Sequence, residues 1–241
     1  MYELLKKITP TAFIKKNETA IRVLLSQFYK GHRFVCSVCE FKMARFITSK
    51  KGDKLCPKCG SLARTRRLWQ FLKPKAKDVK ILHFSPSRSI RRTLECLKNV
   101  TYITTDYTDE FEAMKCLNIE AIDEPDNQYD IIICYHVLEH IQNDIKAMNE
   151  LKRITKPGGI CIIQTPFKEG EIYEDITIRS EEGRLLHFGQ KDHVRIYSIE
   201  GLTNRLSSVG FQPIKQTYKE SINNRNGFKT DETIIIAKKP I

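Results

Sequence analysis

Four cysteines form two C-x-x-C pairs at a spacing that suits a metal ion. Cys36 and Cys39 make the first pair, Cys56 and Cys59 the second, and sixteen residues separate the pairs. Such a set favours tetrahedral zinc held by four thiolates. Four protein ligands leave no open coordination position, so the spacing predicts a structural zinc that contributes folding energy to a small module.

Two disulfides or four free thiols are the alternatives for these cysteines. The chain carries four more scattered cysteines and shows no signal-peptide pattern, which favours a reducing cytoplasm and a zinc site. The additional cysteines lie in or beside predicted helices and strands, where a free cysteine acts as a small apolar residue. They are Cys96, Cys116, Cys134 and Cys161.

A second set of polar residues follows apolar runs further along the chain. Asp106 follows the run 101–105, while Tyr135 and His136 follow 131–134, with His140 close behind. In open α/β sheets, ligands bind beyond the carboxyl ends of the strands. A carboxylate at the end of the second strand can accept both hydroxyls of a ribose, so the pattern indicates a nucleotide-like ligand at Asp106.

The elements that would position these residues alternate between strand and helix. Helical spacing and stop signals predict helices over 88–97, 143–154 and 199–208, the last capped by Ser198 and ended by Gly210. Two further helices are expected over 18–29 and 62–72, with Ser61 as the cap of the second. Apolar runs predict strands over 80–84, 101–105, 114–119, 130–134, 160–164, 211–218 and 233–238.

The length of 241 residues leaves room for a small unit before an α/β domain. We expect a basic helical extension over 1–33, a zinc-ribbon module with a basic helix over 34–77, and the α/β domain over 78–241. No apolar stretch is long enough to cross a bilayer. The expected location is the cytoplasm, including the inner face of the membrane.

Charge is divided unevenly between these parts. Residues 1–80 carry 20 Lys and Arg against 5 Asp and Glu, a net charge of +15, whereas residues 81–241 carry 21 against 24, a net charge of −3. A positive field attracts RNA, an anionic membrane surface or a charged glycan. Arg64, Arg66 and Arg67 on the predicted basic helix are the candidates for phosphate contact. The alternative is that lysine and arginine only keep the module soluble.

Residues 78–241 resemble a class I S-adenosylmethionine-dependent methyltransferase. Three motifs carry the resemblance: 102–106, 130–140 with Val137-Leu138-Glu139-His140, and 151–159. The resemblance implies an α/β fold with a Rossmann-like, mostly parallel sheet of seven strands, the last antiparallel. It also implies S-adenosylmethionine bound over the first two strands and methyl transfer to an acceptor above the fourth.

The first loop departs from the usual glycine-rich turn and reads His83-Phe84-Ser85-Pro86. A similar loop occurs in zinc-ribbon methyltransferases linked to bacterial surface polysaccharide synthesis, which this chain resembles. That group often has Glu at the position of Ser87 and Asp at that of Asn118. The resemblance assigns the cofactor to His83, Phe84, Ser85, Asp106, Tyr107, Asn118, Ile119, Tyr135 and His136.

Histidines are the candidates for proton transfer from an acceptor hydroxyl. His193 lies in an Asp-His-Val-Arg run that the resembling group shares, and it is the first candidate, with His136 and His140 as the others. Asp192 is expected to orient the base. His187, Arg195 and Tyr197 are the expected substrate contacts. Alternatively, His140 only holds its own loop and Arg195 pairs with a structural carboxylate.

Residues 136–140 also match the H-x-x-E-H string of inverted zinc proteases. That motif must lie within one helix, whereas this string begins at a strand end. Some methyltransferases of small phenolic substrates place acidic and histidine ligands near a similar turn. Here His136 stands where a hard cation would favour an acidic residue, which argues against such a site.

Three functions are consistent with these observations. The first is O-methylation of a sugar or related small polar acceptor in surface-glycan assembly. The second is methylation of RNA, with the basic zinc module binding phosphates. The third is a non-catalytic binder with a degenerate cofactor site, because the first loop lacks glycine.

Overall fold

The computed structural model describes residues 11–49, 52–108, 112–220 and 223–241. These residues pack as two compact units. The first extends to Ala76 and also takes in Ser87–Leu97 and Lys219–Asp231, while the second contains Lys77–Pro86, Lys98–Tyr218 and Glu232–Ile241. The break after Ala76 lies beside the boundary expected at 77. The two later segments of the first unit are additions that no local pattern indicated.

The described residues of the first unit form short strands and three α-helices. Strands β1 and β2 pair antiparallel, and so do β3 and β4. The helix expected over 18–29 is α-helical to Ser26 and continues as a 3-10 turn over Gln27–Tyr29. The elements are α1 (Thr11–Ser26), β1 (Lys30–Val35), β2 (Lys42–Met43), β3 (Ile47–Thr48), β4 (Lys54–Leu55), α2 (Ala63–Leu72) and α3 (Arg88–Glu95).

Two of the three arginines on α2 are buried rather than available to phosphate. Arg66 is 0% exposed. Its guanidinium donates to the carbonyl oxygens of Ser61 at 2.6 Å and Gly227 at 2.7 Å, among others. Arg67 pairs with Glu220 and is 2% exposed. The expectation that Arg66 and Arg67 contact phosphate is therefore corrected: both side chains stabilise the first unit, because a buried guanidinium needs partners.

The second unit contains a six-stranded, mostly parallel sheet in the order β12-β13-β8-β7-β5-β6. Strands β5 to β8 run parallel and β13 is antiparallel to β8. The predicted Rossmann-like α/β class is confirmed. The strands are β5 (Val79–Phe84), β6 (Val100–Thr105), β7 (Tyr129–Tyr135), β8 (Thr155–Gln164), β12 (Gln212–Lys219) and β13 (Asp231–Lys238).

Helices pack on this sheet through the apolar stripes that the sequence predicted. Met148 and Leu151 of α4 (Asp144–Ile154) join the buried core, as do Leu202 and Leu206 from a later helix. Three short strands form a separate small sheet, and none of the helices described here is both long and apolar enough to span a membrane. The remaining elements are β9 (Phe167–Lys168), β10 (Tyr173–Glu174), α5 (Glu181–Phe188), β11 (Arg195–Ser198) and α6 (Ile199–Ser208).

The strand predicted over 114–119 does not form. Within the described residues this segment makes isolated bridges, and the main sheet has six strands instead of seven. Side-chain oxygens of β6 take some of its backbone donors: the N–H of Met114 donates to Thr104 Oγ1 and that of Leu117 to Thr105 Oγ1, both at 3.0 Å. Threonine hydroxyls thus compete with the ladder that a regular edge strand would make.

One of the two predicted helix caps is confirmed: Ser198 accepts from the N–H of Gly201 at 3.0 Å. Asn143 also caps its helix, accepting from the N–H of Lys146 at 3.0 Å. Helix α2 begins at Ala63 after Leu62, which makes no side-chain capping bond. The expectation that Ser61 caps this helix is therefore wrong, and its hydroxyl lies against cysteine sulfurs instead.

Candidate active site

A cavity of about 560 Å³ lies where β5, β6 and β7 end. Its wall combines side chains from the three loops that follow these strands with side chains from later segments. The lining residues are Phe84, Ser85, Asp106, Tyr107, Thr108, Leu117, Asn118, Ile119, Glu120, His136, Val137, His140, Ile141, Gln142, Arg184 and Asp192.

The turn after β5 adopts a glycine-like conformation without a glycine. Ser85 has φ +46°, in the left-handed region that glycine favours. Its N–H donates to the carbonyl of Thr105 at 2.8 Å, and its hydroxyl donates to Asp106 Oδ1 at 2.6 Å. The serine therefore makes the turn and orients the carboxylate of the neighbouring loop.

Asp106 is the buried carboxylate of the cavity, with 3% exposure. Thr108 donates to its second oxygen at 3.3 Å. Leu117 and Ile119 supply apolar surface, and the side-chain oxygen Oδ1 of Asn118 accepts from the N–H of Glu120 at 2.9 Å. A buried carboxylate, apolar walls and a volume in the range of small-molecule sites fit a nucleoside such as that of S-adenosylmethionine.

His136 also lines the cavity and has a left-handed backbone, with φ +56°. Its N–H donates to the carbonyl of Gln164 at 2.8 Å, and its Nδ1 lies 3.1 Å from Glu139 Oε1. Glu139 is 1% exposed. Burial by itself raises the pKa of Glu139, but the hydrogen bond and charge of His136 outweigh burial, and the pKa lies below its ordinary value. The carboxylate is thus held ionised in the interior.

The imidazole rings of His140 and His193 contact each other beside the cavity. The rings of His140 and His193 have centroids 4.7 Å apart in an edge-to-face arrangement. Asp192 Oδ2 lies 3.0 Å from His140 Nδ1. Burial, followed by the influence of His140, lowers the pKa of His193 against the opposing effects of Glu139 and Asp192. His193 is therefore neutral at neutral pH and able to accept a proton or a metal ion.

The structure brings most, but not all, of the predicted site residues to the cavity. Phe84, Ser85, Asp106, Tyr107, Asn118, Ile119, His136 and His140 line it, whereas His83, Tyr135, His187, Arg195 and Tyr197 do not, and His193 lies behind His140.

Each of the outlying side chains has a different setting. His83 is buried with Nδ1 2.9 Å from the Tyr102 hydroxyl, and burial lowers its pKa to about 3. His187 Nδ1 lies 2.6 Å from the Tyr173 hydroxyl. Tyr135 is 8% exposed.

Arg195 and Tyr197 are buried in β11 and engaged by protein groups. Arg195 pairs with Glu174 at 2.8 Å and donates to the carbonyl of Gln142 at 2.9 Å. Tyr197 donates to Asp144. The alternative stated for Arg195, pairing with a structural carboxylate, matches this geometry.

Six cavity residues were not singled out from the sequence, either as site residues or within a motif: Thr108, Leu117, Glu120, Ile141, Gln142 and Arg184. Thr108 could have been found from its position two residues after Asp106. Arg184 lies on α5, whose separation from the other loops in sequence gave no signal that it would reach the same wall.

The four cysteines of the two pairs lie together in the first unit. Cys36 Sγ is 3.7 Å from Cys59 Sγ, and Cys39 Sγ is 3.7 Å from Cys56 Sγ. Tetrahedral zinc with Zn–S bonds of about 2.3 Å requires sulfurs about 3.8 Å apart. Each pair closes a matching turn, with the N–H of Glu40 donating to Cys36 and that of Gly60 to Cys56. These distances fit zinc, and none of the four cysteines is joined in a disulfide in the structure.

Residues 64–216 match a family model described as a methyltransferase domain. The tRNA U34 carboxymethyltransferase of Nautilia profundicola is 27% identical over 154 residues, which cover 63% of this chain and 46% of that protein. The ubiquinone biosynthesis O-methyltransferase of Rickettsia bellii is 48% identical over 42 residues, 17% of this chain and 18% of that protein. The chain spans less than half the length of the curated relatives that it matches.

Solved structures share the fold of the second unit. A SAM-dependent methyltransferase from Archaeoglobus fulgidus superposes with a TM-score of 0.54 at 18% identity, covering 73% of this chain and 93% of that one. The identity is low, so this likeness concerns the fold alone.

Proposed function

Because the chain belongs to the S-adenosylmethionine-dependent methyltransferase family, we propose that it methylates a hydroxyl group of a sugar or related small polar acceptor in surface-glycan biosynthesis. One observation supports this most strongly: Asp106, His136 and His140 all line a single cavity. The carboxylate that would bind the ribose and the imidazoles that would accept the proton therefore line the same cavity.

The residues that line the cavity divide into a group that binds the methyl donor and a group that binds the acceptor. Asp106, held by Ser85, accepts the ribose hydroxyls of the methyl donor, while Leu117 and Ile119 pack on its base. When bound, S-adenosylmethionine supplies an activated methyl group, so the protein mainly positions the donor and the acceptor. The acceptor lies towards His140, whose imidazole Asp192 orients for proton transfer.

Oxygen as the methylated atom is supported by two likenesses. One relative is named a ubiquinone biosynthesis O-methyltransferase. The loop from His83 to Pro86 resembles that of zinc-ribbon methyltransferases linked to surface polysaccharides. A neutral His193 beside His140 also suits a hydroxyl acceptor, which needs a base, better than an amine.

We assign a structural zinc ion to Cys36, Cys39, Cys56 and Cys59. The sulfur distances fit it, and the Ser61 hydroxyl lies 3.2 Å from two of the sulfurs, where it can support a thiolate. The ion has no open position and takes no part in methyl transfer.

A screen with radiolabelled S-adenosylmethionine tests the proposed acceptor. Glycan intermediates and RNA are supplied in parallel, and label is followed into each fraction. We expect label in the glycan fraction, lost when Asp106→Asn removes the charge and retained with Lys215→Glu, an exposed change on β12. Labelling of RNA alone would refute the glycan proposal.

RNA is the second candidate acceptor, favoured by a specific likeness. The relative aligned over 154 residues is named a tRNA U34 carboxymethyltransferase. Exposed cations of the first unit, such as Arg33 and Arg45, are placed where phosphate could reach them. If RNA is the acceptor, the protein should retain RNA in a salt-dependent manner, and the double variant Arg33→Glu, Arg45→Glu should abolish this retention. If the unaltered protein does not retain RNA, RNA is eliminated as the acceptor.

A further inference from the structure

Glu139, His140 and His193 form a cluster of side chains that could hold a metal ion. Their candidate ligand atoms all lie within 4.8 Å of one another. One carboxylate and two imidazoles can bind a divalent transition metal and leave positions open for another ligand. The hydrogen bonds around the cluster decide whether the remaining atoms are free to do so.

Glu139 has one engaged oxygen and one free oxygen. Oε1 lies 3.1 Å from His136 Nδ1. Oε2 is buried and has no hydrogen-bond partner within the described part of the chain. A buried carboxylate oxygen without a partner is costly, since it has lost water and gained nothing. A cation at this point would supply the missing interaction.

His140 is oriented in the way that metal-bound histidines are. Its Nδ1 faces Asp192 at 3.0 Å, which leaves Nε2 available. The buried ring of His193 lies edge-to-face against that of His140, with centroids 4.7 Å apart. Metal-ligating histidines typically donate their second ring N–H to a carboxylate or a carbonyl, which fixes the ring and its tautomer.

We propose that Glu139 Oε2, His140 and His193 bind a divalent transition-metal ion at the wall of the cavity. Metal bonds of about 2.0–2.2 Å place ligand atoms no more than about 4.4 Å apart, so the cluster closes by a few tenths of an ångström on binding. In the sequence analysis, His136 was an argument against a metal site. In this proposal it is not a ligand but the partner that orients Glu139.

The role of this ion rests on the proposed function and deepens it. His140 lines the cavity, so an ion held by it could also bind an oxygen of the acceptor. The acceptor class is a molecule with two neighbouring oxygens, such as a vicinal diol, which can chelate the ion. With the ion bound, His140 and His193 would be ligands instead of proton acceptors, and the ion would lower the pKa of the chelated hydroxyl so that its proton passes to solvent. The oxygen then forms a bond to the methyl carbon, and the carbon–sulfur bond of the donor breaks to leave a neutral thioether.

Metal binding is measured without donor or acceptor, so it can fail independently of methyl transfer. Protein with its cysteine site filled by zinc is titrated with Mn²⁺, which thiolates bind poorly, and separately with Zn²⁺, by calorimetry with elemental analysis. We expect one additional equivalent. Glu139→Gln and His193→Ala should weaken binding by about 10- to 100-fold or more, and Asp192→Asn by about 10- to 100-fold.

Exposed substitutions provide the matched controls. Glu182→Gln and His32→Ala remove the same side-chain types at exposed positions and should leave the additional equivalent unchanged. Donor binding in each variant shows that the second unit is folded. Absence of an additional equivalent for both metals, or affinity unchanged in Glu139→Gln and His193→Ala, overturns the proposal. Metal binding without donor binding would refute the proposed function instead.

Discussion

At the residue scale, the types of the site residues were predictable, but their orientations were not. Asp106 and His140 lie at the cavity because strand ends in a parallel sheet meet at one edge. His83 has the chemistry of a site residue but faces Tyr102 in the interior. Alternation along a strand sends neighbouring side chains to opposite faces, and the sequence alone does not say which face is functional.

Two substitutions of Ser85 separate the effect of its strained backbone from the effect of its hydrogen bond to Asp106. Ser85→Ala keeps the left-handed backbone, which costs about 1 kcal/mol for a residue with a Cβ, and loses the bond to Asp106. We expect about 1 kcal/mol lower stability and weaker donor binding. Ser85→Gly relieves the strain and should restore stability but not donor affinity. Urea unfolding and calorimetry measure the two quantities, and equal donor affinity in serine and alanine proteins would contradict the orienting role.

Buried His83 should make stability depend on pH. Its pKa of about 3 in the folded protein lies below the ordinary 6.5, so the unfolded chain binds the additional proton. Its contribution is complete above pH 6.5 and is lost as pH falls towards 3, by up to about 1.4 kcal/mol per pH unit.

His83→Gln removes this titration. Between pH 7 and pH 5, its unfolding free energy should fall by about 2 kcal/mol less than that of the unaltered protein. Urea unfolding followed by circular dichroism measures the difference, with exposed His32→Gln as the control. Equal pH dependence in all three proteins would show that His83 does not stay neutral.

At the element scale, long apolar patterns predicted the helices and strands correctly, whereas a short pattern did not. Strand β7, helix α4 and helix α6 form as the sequence indicated, because each has a continuous apolar run or a helical stripe with a capping residue. The segment 114–119 failed because threonine hydroxyls of β6 take its backbone donors. Such competition depends on a tertiary contact and leaves no trace in local hydrophobicity.

Arg66 of α2 should stabilise the first unit strongly. It is fully buried and donates to backbone carbonyls of three separate segments, including Lys54, Ser61 and Gly227. Arg66→Ala leaves these acceptors unpaired, so we expect a loss of about 3 kcal/mol or more. Arg66→Lys should recover part of this. Thermal unfolding monitored by Trp69 fluorescence tests the effect, and a loss below about 0.5 kcal/mol would contradict it.

At the scale of the whole molecule, two compact units arise from one interleaved chain. Lys219–Asp231 packs in the first unit although it follows most of the second in sequence. Composition revealed the charge division, and the cysteine spacing revealed the first unit. The return of a later segment to it depends on buried contacts such as those of Arg66 with Asn226, which no local pattern encodes.

Removal of zinc should unfold the first unit selectively. Trp69 is the single tryptophan and is buried in that unit, so its emission reports on the unit directly. Because structural zinc contributes folding energy, a zinc chelator should shift Trp69 emission to longer wavelength, and added zinc should reverse the shift. Emission that does not respond to chelation, with elemental analysis showing zinc removed, would contradict a structural role.

The most direct test of the account is calorimetry of S-adenosylmethionine binding to the unaltered protein and to Asp106→Asn. Loss of the charge removes a strong acceptor for two ribose hydroxyls, so we predict binding to the unaltered protein and at least about tenfold weaker binding to the variant. Lys215→Glu, an exposed change elsewhere in the second unit, should bind normally. Absence of binding to the unaltered protein, or equal affinity in the Asp106→Asn variant, would contradict the central claim.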